Sequence, residues 1–79
     1  MVLTTIRYQS GEDVGAINSI ISHYKFDVDA VVDRYVIDAK SVLGLYIFLF
    51  QDVDIIPHST SYDELQELKE KLDQWKVEK

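Results

Sequence analysis

From Val42 to Phe50 every position except Gly44 is apolar or aromatic, and this run constrains the fold more than any other feature. It is far too short to cross a bilayer, which takes about 20 residues as a helix. Ser41 stands where a helix N-cap belongs, its side-chain oxygen placed to accept a bond from a backbone N–H of the first turn. A chain of 79 residues cannot surround a short helix on every side, so part of the segment is expected to stay on the surface as a contact area. The run therefore points to an interaction site more readily than to an active site.

The rest must supply the layer on which this helix lies. Seventy-nine residues support one domain, 1–79, and a hydrophobic content of 47% is ample for a core. Three Gly and one Pro argue against disorder. There is no cysteine, which excludes disulfides and thiolate metal sites and suits a reducing, cytoplasmic setting. Met1 leads straight into a strand-like run with no basic-then-apolar leader, so no signal peptide is expected. The net charge is −6, and Arg7, Lys25, Arg34 and Lys40 are scattered among carboxylates. Phosphate backbones and anionic membranes need clustered cations, so neither nucleic acid nor a membrane is an expected partner.

Val2, Thr4, Ile6 and Tyr8 alternate with Leu3, Thr5 and Arg7, which predicts a first strand ended by Ser10-Gly11. Ser10 with Asp13 three residues on starts a helix, whose apolar stripe is Val14, Ile17, Ile20, Ile21 and Tyr24. Phe26, Val28, Ala30 and Val32 then alternate with Asp27, Asp29, Val31 and Asp33; Tyr35, Ile37 and Ala39 alternate with Arg34, Val36 and Asp38. These are two strands joined by a tight turn at Asp33-Arg34 that lacks the usual Gly. The Ser41 helix follows. Val53, Ile55 and Pro57 opposed to Asp52, Asp54 and Ile56 give a fourth strand ending at Pro57. Ser61-x-x-Glu64 is a capping box, and Leu65, Leu68, Leu72 and Trp75 form the buried stripe of the last helix. Glu67–Lys71 and Lys69–Asp73 lie four apart on its wet side, and Val77 to Lys79 is expected to fray.

The order is β-α-β-β-α-β-α. Four strands with one apolar face each predict an α+β, open-faced sandwich: a mainly antiparallel four-stranded sheet with three helices on one face. Asp27, Asp29, Asp33, Asp38, Asp52 and Asp54 belong on the other, wet face.

This element order, the length, the strand start Phe26-Asp27-Val28-Asp29 and above all Ala39-Lys40-Ser41-Val42-Leu43-Gly44 resemble HPr, the histidine-containing phosphocarrier family of the sugar phosphotransferase system, and its HPr-like relatives. The resemblance covers nearly the whole chain and implies two sites. In HPr a histidine at the start of the first helix carries phosphate within a Gly-x-His-x-Arg-Pro-type motif. The matching stretch here is Ser10-Gly11-Glu12-Asp13-Val14-Gly15-Ala16, with Glu12 or Asp13 in the histidine's place and neither arginine nor proline. Carboxylates there repel a phosphoryl group instead of accepting it. The second site matches better. Many members are phosphorylated on the serine that opens the second helix, which makes Ser41 a candidate regulatory phosphosite, although a plain helix cap is the simpler account of a serine there. A phosphate there would meet free N–H groups, with Asp38 acting against it and Lys40 partly offsetting that. By position, Val42, Leu43 and Tyr46 would be the partner-binding side chains, with Leu45 and Phe48 turned inward.

Other chemistry finds little support. His23 and His58 stand apart, with no second histidine or helical ligand spacing to make a metal site. The acidic face lacks the alternating, Glu-closed loop that Ca²⁺ needs. There is no Gly-rich phosphate loop and no nucleophile–base pair, so no catalytic residue, cofactor or metal is expected. The expectation is a non-enzymatic, HPr-like regulatory domain that binds a protein partner through the Ser41 helix. The alternatives are a phosphocarrier with an unusual acceptor, and a structural module that forms a homo-dimer through the same helix.

Overall fold

The computed structural model describes residues 1–78. It is a small α+β domain in which strands β1 (Thr4–Arg7), β2 (Val28–Val32), β3 (Tyr35–Asp38) and β4 (Asp52–Pro57) form one sheet of order β1-β4-β2-β3, with every pairing antiparallel. Helices α1 (Gly11–Ile21), α2 (Val42–Leu45) and α3 (Tyr62–Lys71) follow the first, third and fourth strands, and 3₁₀ turns extend α2 over Tyr46–Phe48 and α3 over Asp73–Trp75.

Strand alternation decides which face is covered. Thr4, Ile6 and Tyr8 of the first strand, Val28 and Ala30 of the second and Val53 and Ile55 of the fourth are buried. They meet Val14, Ile17 and Ile21 from α1, Leu45 and Phe48 from the central run, and Leu68 and Leu72 from the last helix in a single cluster. Leu65 and Trp75, expected in the last helix's buried stripe, are only partly covered. Both long helices start on their expected caps: Ser10 Oγ accepts from Asp13 N at 3.2 Å and Ser61 Oγ from Glu64 N at 3.4 Å. The second box is not reciprocal, because Ser61 N donates to Ser59 Oγ instead.

The open face differs from a bare acidic surface. Arg7 chelates Asp52 Oδ1 at 2.6 and 3.0 Å, the Thr5 hydroxyl donates to Asp54 at 2.7 Å, and His58 Nε2 meets Asp29 Oδ2 at 2.7 Å. Neighbours within one face thus engage three of the six aspartates, one of them in an ion pair with Arg7. The turn works without glycine because Asp33 itself takes the left-handed conformation, φ 54°, which Asp tolerates better than most residues. The tail is anchored rather than frayed at Val77, whose N–H donates to Thr5 O at 2.9 Å; Lys79 lies outside the described residues. Glu67 and Lys71 pair at 3.6 Å, whereas Lys69–Asp73 is not among the ion pairs of the described residues.

Two buried tyrosines are chemically distinct. The Tyr8 hydroxyl is buried without a hydrogen-bond partner, and an unpaired buried hydroxyl costs about 1–3 kcal/mol. Tyr8→Phe keeps the ring and removes that cost, so a gain of about 1 kcal/mol is expected in urea unfolding; a loss would show that the hydroxyl is bonded after all. Tyr24 instead donates to Glu67 Oε1 at 2.5 Å, joining the end of α1 to α3. Burial first, then the Glu67 bond and the charges of Glu67 and Glu64, push its pKa from 10.0 up to about 12. The folded state therefore holds this proton more tightly than the unfolded chain. The resulting stability is complete below pH 10 and is lost as pH rises toward about 12. The alkaline fall in melting temperature is expected to be shallower in Tyr24→Phe, and a fall of unchanged slope would exclude Tyr24 as its source.

Candidate functional site

The central run divides by helical angle. Leu45 and Phe48 are buried, while Leu43 is 85%, Ile47 64% and Phe50 69% exposed, with Tyr46 at 44% and Val42 at 36%. Leu43 and Ile47 are four apart, which sets them along one side of α2 and its 3₁₀ turn, and Phe50 follows beyond the end of that turn. The residues expected to face outward, Val42, Leu43 and Tyr46, do so, and so do Ile47 and Phe50, which the sequence reading did not single out. For Ile47 the spacing from Leu43 was the available signal.

Phe50 closes the run in an unusual way. Its backbone is left-handed, φ 67°, a conformation that costs a bulky residue about 1–2 kcal/mol. Its N–H is fixed to Tyr8 O at 2.7 Å, so the turn is held by β1 while the ring stays in solvent.

Ser41 sits at the N-cap position of α2 but its side chain makes no cap bond, contrary to the sequence expectation. Its backbone closes the turn instead: Ser41 N donates to Asp38 O at 2.9 Å and Leu45 N to Ser41 O at 3.1 Å. Gly44 explains the close packing here, since a Cβ on it would lie 3.0 Å from Ile37 Cγ2 and 3.2 Å from Ser41 Oγ. The hydroxyl is left exposed. Lys40 does not offset Asp38, because its ammonium reaches back to Tyr24 O at 2.7 Å, where it satisfies a carbonyl just beyond α1. Asn18 Nδ2 holds Lys40 O at 2.8 Å.

The two stretches singled out by the family resemblance meet in space. A Cβ on Gly11 would lie 3.0 Å from the Tyr46 hydroxyl, so the ring of Tyr46 rests on the first turn of α1. Tyr46 is thus half contact surface and half joint between helices. Glu12 is exposed beside it, whereas Asp13 is not free for chemistry. Its Oδ2 accepts from Gln9 N at 2.9 Å and its Oδ1 from Trp75 Nε1 at 3.1 Å. This one carboxylate ties β1, α1 and the C-terminal 3₁₀ turn together.

A cavity of about 300 Å³ beside it is lined by Arg7, Gln9, Asp13, Trp75 and Lys76, among others. Of its polar groups, Arg7 is committed to Asp52 and Asp13 to Trp75 and Gln9. His23 is exposed just past α1 and His58 faces Asp29 on the far side of the sheet, so the two histidines are not brought together. Among the described residues no helix is long and apolar enough to cross a membrane. No protein-family model, curated protein or solved structure matches the chain.

Proposed function

We propose that the protein is an HPr-like interaction domain without phosphocarrier chemistry, and that it grips a protein partner through the exposed side of α2 and its 3₁₀ turn. The observation that carries this reading is the set Leu43, Tyr46, Ile47 and Phe50, four large apolar side chains left solvent-facing within eight residues of a run whose Leu45 and Phe48 are in the core. Patches of this kind mark contact surfaces. The exposed Phe50 in its left-handed backbone points the same way, since backbone strain tends to be found at functional positions. The non-enzymatic part of the proposal rests on Asp13, whose two oxygens are engaged structurally, and on Arg7 of the adjoining cavity, which is paired with Asp52. Ser41, exposed and without a cap bond, is proposed as the point where phosphorylation would place a dianion at the edge of the patch.

The test uses the phosphoenolpyruvate-dependent enzyme that charges HPr as a defined partner. The chain is expected to bind it, with amide shifts concentrated at Leu43, Ile47 and Phe50, and to take up no acid-labile phosphate. Leu43→Glu is expected to weaken binding at least about tenfold, the loss of an anchor at an interface. A phosphorylated histidine or aspartate would sink the non-carrier reading. Binding indifferent to Leu43→Glu would show that the patch is misassigned.

A further inference from the structure

The sheet order leaves β1 and β3 as its two outer strands. β1 is partly covered by the C-terminal segment, through an antiparallel bridge between Ile6 and Lys76 and the Val77 N–H bond to Thr5 O. Nothing among the described residues covers β3 in that way. Its sequence, Tyr35-Val36-Ile37-Asp38, has no Pro, Lys or bulge to blunt it, and Tyr35 and Val36 are 63% and 60% exposed. Such an edge is a template for another strand.

The backbone fixes which groups face outward. The two-residue turn makes Val32–Tyr35 the closing hydrogen-bonded pair of the hairpin, and pairing then alternates. Tyr35 and Ile37 bond inward to β2, as does Ala39, whose N–H donates to Val28 O at 2.8 Å. Val36 therefore turns both backbone groups outward, flanked by the N–H of Asp38 and the C=O of Arg34.

We propose that β3 pairs antiparallel with β3 of a second copy of this chain about a two-fold axis at Val36, joining two sheets into one of eight strands. Outward groups lie on even-numbered residues, so even must face even. With Val36 opposite its own copy, Arg34 of each chain faces Asp38 of the other on the same side of the sheet, giving two opposite-charge pairs. A slip of two residues loses both, setting Arg34 against Lys40 in one direction and against Val36 in the other. Charge in the single chain fits this register. Asp38 stands directly across from Asp29, a like-charge pair, while Arg34 makes no ion pair among the described residues. On the helix-covered side Tyr35 would oppose Ile37 of the copy. This contact uses the strand edge, and leaves Leu43 and the α2 surface to a different partner.

A strand of four residues buries less than the roughly 800 Å² per partner of a standard interface, so the dimer is expected to be weak and concentration-dependent. Sedimentation of the full chain from about 10 µM to about 1 mM should show reversible dimers. Val36→Lys, which sets two ammonium groups at the axis, is expected to raise the dissociation constant at least about tenfold, as is Arg34→Asp. The decisive arm is a mixture. Arg34→Asp and Asp38→Arg should each be monomeric alone, yet together form a heterodimer, because both cross-strand pairs then join opposite charges, one in the parent sense and one reversed. Leu43→Glu should dimerise like the parent. Monomers throughout at about 1 mM overturn the proposal. So does a dimer that survives Val36→Lys but is lost in Leu43→Glu, which would place self-association on α2. If Asp38→Arg fails to fold, Val36→Lys and Arg34→Asp still decide.

Discussion

Phe48→Ala is expected to lower the unfolding free energy by about 3–5 kcal/mol, whereas Leu43→Glu in the same apolar run should change it by less than about 0.5 kcal/mol. Phe48 is 2% exposed within the cluster that joins α2 to the sheet. Removing its ring forfeits the transfer energy of the buried atoms and leaves a cavity that the surrounding core cannot fully close. A domain of 79 residues has a total stability of about 4–12 kcal/mol at the usual range per residue, so the loss is a large fraction of the total. Leu43, 85% exposed, has little packing to lose, and a carboxylate early in α2 is compatible with the helix dipole. Urea unfolding followed by circular dichroism measures both. A large loss in Leu43→Glu would mean that this side chain is core, and the proposed contact surface would go with it.

Asp13→Ala is expected to cost about 2–3 kcal/mol, far more than removal of an ordinary surface carboxylate. The substitution removes two bonds at once, the one from Gln9 N and the one from the indole of Trp75. Hydrogen bonds to a charged acceptor are worth more than neutral ones, and loss of this one leaves a part-buried indole N–H unpaired. Trp75 is the single tryptophan, so its fluorescence reports the event directly: a red shift in the native state of Asp13→Ala, absent from Glu12→Ala. Equal, small effects in both variants would return Asp13 to the pool of free carboxylates and reopen the question of a phosphoryl acceptor there.

The strands were legible because each alternates on its own. Ile6 and Tyr8, Val28 and Ala30, and Val53 and Ile55 sit at period two, and all six are buried. Ser10 and Ser61 announced the long helices for a local reason as well, since a cap bonds within its own first turn. Ser41 misled at the level of the side chain for the complementary reason. α2 is only Val42–Leu45, and its geometry is set by Ile37 and Asp38 in β3 more than by its own cap. The exposed side of the run was half visible: Val42, Leu43 and Tyr46 followed from a family resemblance, Ile47 needed the helical phase carried one residue further, and Phe50 lies past the end of that phase in a left-handed backbone.

Local pattern thus determined the order of elements, the apolar face of each strand and the presence of a surplus apolar segment, because periodicity and capping act over distances of a few residues. Which polar side chains meet across the chain was decided by tertiary structure. Asp13 meets Trp75 across 62 positions, Thr5 meets Asp54 across 49, and Lys40 reaches Tyr24 across 16. Partners so distant are chosen by strand register and helix packing, and no window of sequence contains both ends of the bond. The same holds for β3, whose residues read as an ordinary strand and whose place at the edge of the sheet exists only once the order β1-β4-β2-β3 has formed.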